Sequence, residues 1–263
     1  MNGVNKTLYI PLYGKACVSR KGLFLRDPMA EKIWGTEGFA LGGKARSKWL
    51  AYYMGIRAAV FDQWTRQQMD AMPEAVVVHI GCGLDSRALR VDAGQRKWYD
   101  VDFPAVIRER KRYFSETACY KMLEGDAAEA AWLQQIPERK SAIVVMEGIS
   151  MYLALPQLQA LMAALWGHFS EVTLLMDCYT EKAARLSKYR NPVWEVGVTE
   201  VYGLDQPRLL QRGGAVFAGE LPMMPECYVN ELQGMEKTIF RKLYAGKFAG
   251  QLYKLYAYKT AAP

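Results

Sequence analysis

Past residue 72, short unbroken apolar runs alternate with longer stretches whose apolar residues recur every three or four positions. The runs Val76 to Ile80 (VVVHI), Ser141 to Met146 (SAIVVM) and Val172 to Met176 (VTLLM) are short and apolar, rich in valine, isoleucine and leucine. Such runs read as strands buried on both faces, the habit of a parallel sheet. Two further strands are predicted at Lys97 to Val101, ending on Asp102, and at Lys121 to Leu123, leading to Gly125-Asp126. Helices are predicted between them: Arg87 to about Val91, Pro104 to about Phe114, Ala128 to Gln135 before Pro137, and Leu155-Pro156 through Phe169. Strand and helix in alternation predict an open α/β fold.

The flanks differ. Residues 1–72 show no strand pattern. Asp27-Pro28 starts one helix, Met29 to Trp34. Ser47 to Met72 carries Trp49, Tyr52, Tyr53, Ile56, Ala59, Val60 and Trp64 at helical spacing, an aromatic stripe that reads as core. Residues 178–214, with Trp194 and Tyr202, read as an insertion that forms a lid or packs on the core. A turn is expected at Gly213-Gly214, then a helix from Glu236 to Gly250 and a strand from Leu252 to Lys259. The three tyrosines of that last strand are assigned to packing. The expected organisation is one domain, 1–263: a helical cap to 72, a core from 73 to 177, the insertion, and C-terminal strands and helix from 215.

Length and composition agree with a single soluble domain: 263 residues, 51% hydrophobic and 23% charged. Five scattered cysteines with no paired C-x-x-C suit a reduced compartment and offer neither a disulfide frame nor a zinc site. With no secretory signal and no apolar run long enough to span a bilayer, a cytoplasmic location is expected, without a membrane partner. A net charge of +7 raises the question of nucleic acid. The densest basic run, Arg108-Glu109-Arg110-Lys111-Arg112, is interleaved with acid on a predicted helix and reads as a solvated face. No second basic, aromatic-lined surface accompanies it, so no nucleic-acid partner is expected.

The candidate chemistry gathers at Val76 to Asp102. Strand, Gly81-Cys82-Gly83, short helix, second strand and a terminal acid twenty-one residues past Gly81 describe a nucleoside site. Glycines let the backbone approach a ligand, and Asp102 can accept hydrogen bonds from both ribose hydroxyls. Two ligand classes use this layout. A dinucleotide site wants a small residue, usually glycine, where Ser86 stands, and a pyrophosphate would meet Asp85 at the helix mouth. A cationic donor such as S-adenosylmethionine tolerates that charge. Asp85 also reads simply as a helix cap. Because ligands of open α/β sheets sit at the carboxyl ends of strands, Asp102, Asp126 and Glu147 are expected to share one cleft. Asp126 could hold an adenine amino group or merely close a turn. Arg57, set among apolar residues, needs a partner: a structural salt bridge or a ligand carboxylate.

HIGCGLDSRALR, WYDVDFPAVI, EGDA and VVMEGISMYL, in that order, resemble the leucine carboxyl methyltransferase family, including its bacterial polyketide O-methyltransferase branch. The resemblance runs from about Lys15 to the terminal strand and weakens after Asp177. It implies a class I, Rossmann-like S-adenosylmethionine-dependent fold: a seven-stranded, mostly parallel sheet with its last strand reversed and a helical cap. By position it implies donor contacts at Lys15, Arg57, Gly81, Cys82, Gly83, Asp102, Phe103, Asp126, Ala127 and Glu147. Tyr152 matches a tyrosine close to the methyl acceptor, and Arg57 with Tyr152 is expected to orient the reacting groups. Ala127 stands where some members carry leucine.

Neither histidine, His79 within a strand or His168 at a helix end, is a convincing general base. A carboxylate acceptor, already ionised at neutral pH, needs none. The expected activity is O-methylation of a small molecule bearing a carboxylate. A hydroxyl acceptor with Glu147 as base, a protein C-terminal carboxylate, an NAD-type oxidoreductase and an inactive donor-binding protein remain as alternatives.

Overall fold

A computed structural model describes residues 8–37, 43–190, 200–246 and 248–261. Seven strands form one sheet: β1 (Val76–Ile80), β2 (Trp98–Asp102), β3 (Tyr120–Glu124), β4 (Ser141–Met146), β5 (Glu171–Tyr179), β6 (Ala215–Leu221) and β7 (Tyr253–Thr260). Their order is β3-β2-β1-β4-β5-β7-β6. β1 to β5 pair in parallel, and β7 runs antiparallel to both neighbours. The chain moves outward from β1 in one direction and, after β4, in the other. The cleft of a topological switch point therefore opens between the ends of β1 and β4.

Alternate residues of the central strands face opposite layers. Val76, Val78, Ile80, Val144 and Met146 pack against Leu158, Leu161, Met162 and Leu165 of α6 (Leu155–His168). Val77, Ile143, Val145 and Leu175 pack against Tyr52, Ile56, Val60, Phe61 and Trp64 of α3 (Lys48–Ala71), whose N-cap is Ser47. The aromatic stripe is thus largely core. Across α3 lies α1 (Tyr9–Arg20), and the two helices approach through glycines. A Cβ on Gly55 would lie 2.7 Å from Val18 Cγ2, and one on Gly14 2.7 Å from Met54 Cβ. This close crossing brings Lys15 and Arg57 to the same end of the sheet. The predicted helix at Asp27-Pro28 is α2 (Pro28–Glu37), and Asp27 Oδ1 accepts the Ala30 N–H at 2.8 Å.

Several expectations change. The helix expected from Ala128 is a 3-10 turn at Ala131–Gln135, after Ala130 in a left-handed conformation. β5 does not stop at Asp177. It runs to Tyr179 because β7 pairs with its far half, Asp177 opposite Leu255 and Tyr179 opposite Tyr253. The helix after β2, α5 (Pro104–Arg110), turns Arg110 inward to 1% exposure, while Arg108, Lys111 and Arg112 stay outside. β6 had no clear sequence signal. It is a half-exposed edge with a bulge between Phe217 and Gly219, so its apolar pattern is broken. Of 178–214, Trp194 lies outside the described residues. The helix α7 (Glu181–Arg190) follows β5, and Leu204 and Leu210 pack into the core beneath α6.

Candidate functional site

A cavity of about 1100 Å³ opens at the carboxyl ends of β1, β2 and β4, slightly above the usual range for small-molecule sites. All eleven residues proposed from the sequence line it: Lys15, Arg57, Gly81, Cys82, Gly83, Asp102, Phe103, Asp126, Ala127, Glu147 and Tyr152.

At one end is the glycine turn after β1. Gly81 has φ 70° and Gly83 φ 52°, and a Cβ on Gly81 would overlap the Ile149 side chain. Backbone in this conformation favours glycine. Asp102 Oδ2 accepts the Gly83 N–H at 2.8 Å and Oδ1 accepts the Phe103 N–H at 2.8 Å, so the carboxylate is held before any ligand arrives. Burial raises its pKa, and those two N–H groups oppose the rise. Asp126 closes a turn, through the Ala128 N–H at 2.8 Å, and also lines the cavity. Cys82 is buried, and burial pushes its thiol well up.

At the other end a chain of alternating charges crosses the molecule. Lys15 Nζ lies 3.0 Å from Asp85 Oδ2, and Arg87 Nη2 lies 3.1 Å from the same oxygen. Arg87 Nη2 also donates to Glu147 Oε2, and Arg57 Nε donates to Glu147 Oε1 at 3.0 Å. Arg57 Nη1 donates to Asp177 Oδ2 at 2.9 Å and to Tyr253 Oη at 3.0 Å. Tyr253 donates to Asp177 at 2.6 Å. Arg90 joins the chain through Asp85, Asp27 and Asp62. Burial alone would raise Asp85 and Glu147. Arg90, Lys15 and Arg87 hold Asp85 well below the carboxylate range, and Arg87 with Arg57 holds Glu147 down. Asp177 is raised by burial against the pull of Arg57.

Asp85 therefore neither caps the helix nor presents a free charge. Ser86, at the N-cap of α4 (Arg87–Arg90), makes no cap bond; its hydroxyl donates to Asp27 Oδ1 at 2.6 Å. The carboxylate of Asp85 is surrounded by three cations, so the argument that it repels a pyrophosphate loses its force. Of the two partners expected for Arg57, the structure supplies the salt bridge, to Glu147 and Asp177. Its Nε and Nη1 make structural bonds, whereas Nη2 has no protein acceptor among the described residues.

Asp177 and Tyr253 were not singled out in sequence. Asp177 ends an apolar strand run, the same signal that identified Glu147. Tyr253 carried no such signal, because only its antiparallel pairing with Tyr179 brings it to the cleft. Tyr253 meets Tyr179 and Tyr53 edge-on, with ring centroids 5.0 and 6.0 Å away. With Tyr152 and Tyr244 they line one wall, and Leu186, Leu243 and Phe248 lie toward the mouth. Burial pushes the hydroxyls of Tyr53, Tyr152 and Tyr253 well above their ordinary value. They are protonated donors at neutral pH. His79 is buried in β1 with Nδ1 3.4 Å from Asp100, and His168 lies by Arg139, away from the cavity.

The family model of leucine carboxyl methyltransferase matches residues 13–166. A tetracenomycin polyketide synthesis O-methyltransferase of Streptomyces glaucescens is 28% identical over 91% of this chain and 90% of its own. An S-adenosyl-L-methionine-dependent methyltransferase of Gibberella zeae is 25% identical over 80% and 78%. Among solved structures, a protein of the duf574 family from Streptomyces avermitilis superposes with a TM-score of 0.58 at 10% identity, covering 89% of this chain and 90% of that one. Magnesium protoporphyrin IX methyltransferase from Synechocystis superposes with 0.51 at 12%, covering 89% and 94%. The sheet order, the reversed β7 and these superpositions establish the class I methyltransferase fold. With the matched region spanning over half of its length, from α1 through α6, the chain belongs to the leucine carboxyl methyltransferase family of S-adenosylmethionine-dependent methyltransferases.

Proposed function

We propose that this protein methylates an oxygen of a small molecule, and that the oxygen belongs to a carboxylate. The residues present fit the donor. The glycine turn leaves backbone open to a nucleoside, and Asp102 is already aimed by two N–H groups. In this reading Asp102 and Phe103 hold the ribose, Asp126 and Ala127 meet the adenine, and Gly81, Cys82 and Gly83 pass beside the donor's middle. Lys15, Arg57 and Glu147 take its amino-acid end. When bound, S-adenosylmethionine supplies an electrophilic methyl group on a sulfonium, open to in-line displacement.

The observation that carries the carboxylate reading is the state of the two buried acids beside Arg57. Glu147 has an arginine on each oxygen, and Asp177 is held by Arg57, Tyr253 and the Gly148 N–H. Carboxylates so engaged are poorly placed to take a proton from an alcohol or phenol, which argues against Glu147 as a base. The surrounding tyrosines are donors. An acceptor that is already ionised suits such a site. Arg57 Nη2 and the Tyr152 hydroxyl are the groups we assign to orienting it, with 1–263 acting as one domain and α7 as one wall of the cleft. The S. glaucescens relative, an O-methyltransferase of polyketide synthesis, supports a small-molecule acceptor over a protein terminus.

The test has two stages. Calorimetry should show S-adenosylmethionine and S-adenosylhomocysteine binding to the wild type, weakened in Asp102→Ala by about 1–3 kcal/mol, the cost of unmade buried hydrogen bonds. A panel of carboxylic acids and phenols should then yield methyl esters, with kcat flat between about pH 6 and 9 because no base titrates. Methylation confined to phenols, rising with pH, would overturn the carboxylate reading.

A further inference from the structure

The basic run after β2 contributes one residue that the site description above does not use. Arg110 is 1% exposed, although Arg108, Lys111 and Arg112 beside it face solvent. Its Nη1 donates to the carbonyl of Gly83 at 2.9 Å, its Nε donates to Tyr120 Oη at 3.0 Å, and its Nη2 donates to Asp100. Asp100 is itself fixed by Trp98 Nε1 at 2.8 Å and by the Tyr120 hydroxyl. The guanidinium lies 4.2 Å from the Phe114 ring centroid. Its partners belong to β2, β3, the segment after α5 and the glycine turn, and it does not line the cavity.

We propose that Arg110 is a positioning residue for donor binding, holding the Gly83 peptide from below so that its N–H can aim the Asp102 carboxylate at the ribose. This rests on the donor reading above. Gly83 offers its carbonyl to Arg110 and its N–H to Asp102, so the two bonds fix this residue from opposite sides. A left-handed glycine is the most freely rotating point of such a turn, and a buried planar fork with fixed partners removes that freedom. Organising the site before binding lowers the ordering cost that binding would otherwise carry. Arg110 shares the buried face of α5 with Val106 and Ile107, and a charge placed on that apolar face is a cost that packing alone does not require. Burial raises Asp102, and after the Gly83 and Phe103 N–H groups the charge of Arg110 also opposes that rise. The charge thus acts in the same direction as the geometry, toward an ionised acceptor of hydrogen bonds.

The test uses Arg110→Lys, which keeps the charge, and the double variant Asp100→Asn/Arg110→Met, which leaves no charge unpaired in the interior. Two ligands are titrated: S-adenosylmethionine, and methylthioadenosine, which has the nucleoside but no amino-acid end. Wild-type protein must bind the donor first; failure there overturns the donor reading itself, before any variant is made. In folded variants with cooperative melts, the double variant should raise the Kd of both ligands by about tenfold, a buried hydrogen bond's worth, and Arg110→Lys by less. Acceptor KM, and kcat at saturating donor, should stay at wild-type values. Wild-type Kd for methylthioadenosine in either folded variant would refute the positioning role. So would a loss shared equally by donor Kd, acceptor KM and kcat, which marks general loosening.

Discussion

At the scale of the residue, Arg57 joins a buried charge network to the wall of the cavity. Two of its three nitrogens are engaged by Glu147, Asp177 and Tyr253, the third has no protein acceptor among the described residues, and the residue lines the cavity. Removing it entirely would leave buried Asp177 without a counter-ion and Glu147 with Arg87 alone, a cost of about 3–5 kcal/mol. Arg57→Lys keeps the charge and loses the fork. We expect a folded protein with kcat/KM lowered by about tenfold or more, since a single ammonium cannot reproduce the planar fork that reaches Glu147 and Asp177 and still leaves one nitrogen for a ligand. Steady-state kinetics and a thermal melt check this, and an unchanged kcat/KM would remove Arg57 from the ligand site. Tyr253→Phe is the companion experiment. It deletes a hydroxyl that donates to Asp177 at 2.6 Å and accepts from Arg57 at 3.0 Å. Stability should fall by about 1–2 kcal/mol, with weaker donor binding if Arg57 is no longer held in place.

At the scale of the element, the site depends on how closely two helices cross. α1 carries Lys15, α3 carries Arg57, and Gly14 and Gly55 let the helices approach. Gly55→Ala would place a methyl 2.7 Å from Val18 Cγ2, where nothing can yield without moving α1. Overpacking of this kind costs about 1–3 kcal/mol. Lys15 should move with its helix, so the melting temperature and donor affinity should drop together. A variant with lower stability but wild-type donor Kd would separate the crossing from the site. The elements read most easily in sequence were β1, β4, α3 and α6, whose apolar residues are continuous or follow one helical face. Those read poorly are short or at an edge. The Ala131–Gln135 turn is too brief to show a period, and β6 is half solvated and bulged.

At the scale of the whole molecule, the buried charge chain makes stability depend on pH in a direction that follows from its pKa shifts. Asp85, Asp100 and Glu147 are held below their ordinary values of 3.8, 3.8 and 4.5 in the native state. Carboxylates of this kind stabilise the fold above their unfolded pKa, and that contribution is lost as pH falls toward the native one. Asp102 and Asp177 are raised by burial, so their protonation favours the native state and acts in the opposite sense. Melting temperature should therefore hold or rise slightly as pH falls from 7 to about 5, then drop steeply below about 4.5. Glu147→Gln should flatten part of that drop, and a steady decline from neutral pH would contradict the assignment. The five cysteines take no part in this. Each is a free thiol, so reductant should leave the melt unchanged.

By itself the sequence determined the α/β layering, the glycine turn after β1, and the acids at the ends of β2, β3 and β4. These are local matters: a strand buried on both faces must be apolar throughout, and a left-handed turn beside a ligand calls for glycine. Family membership was legible in the same stretches. Tertiary structure decided which charges meet. Asp85 could be read as a cap because its three cations come from α1 and α4, one of them seventy residues away. Arg110 could be read as solvated because nothing within α5 shows that β2, β3 and Gly83 surround it. Tyr253 became part of the cleft only when β7 reversed and paired with β5. Periodicity records which face of an element is buried, whereas the partner of a buried polar group is chosen by contacts between distant segments, and these leave no pattern in one chain.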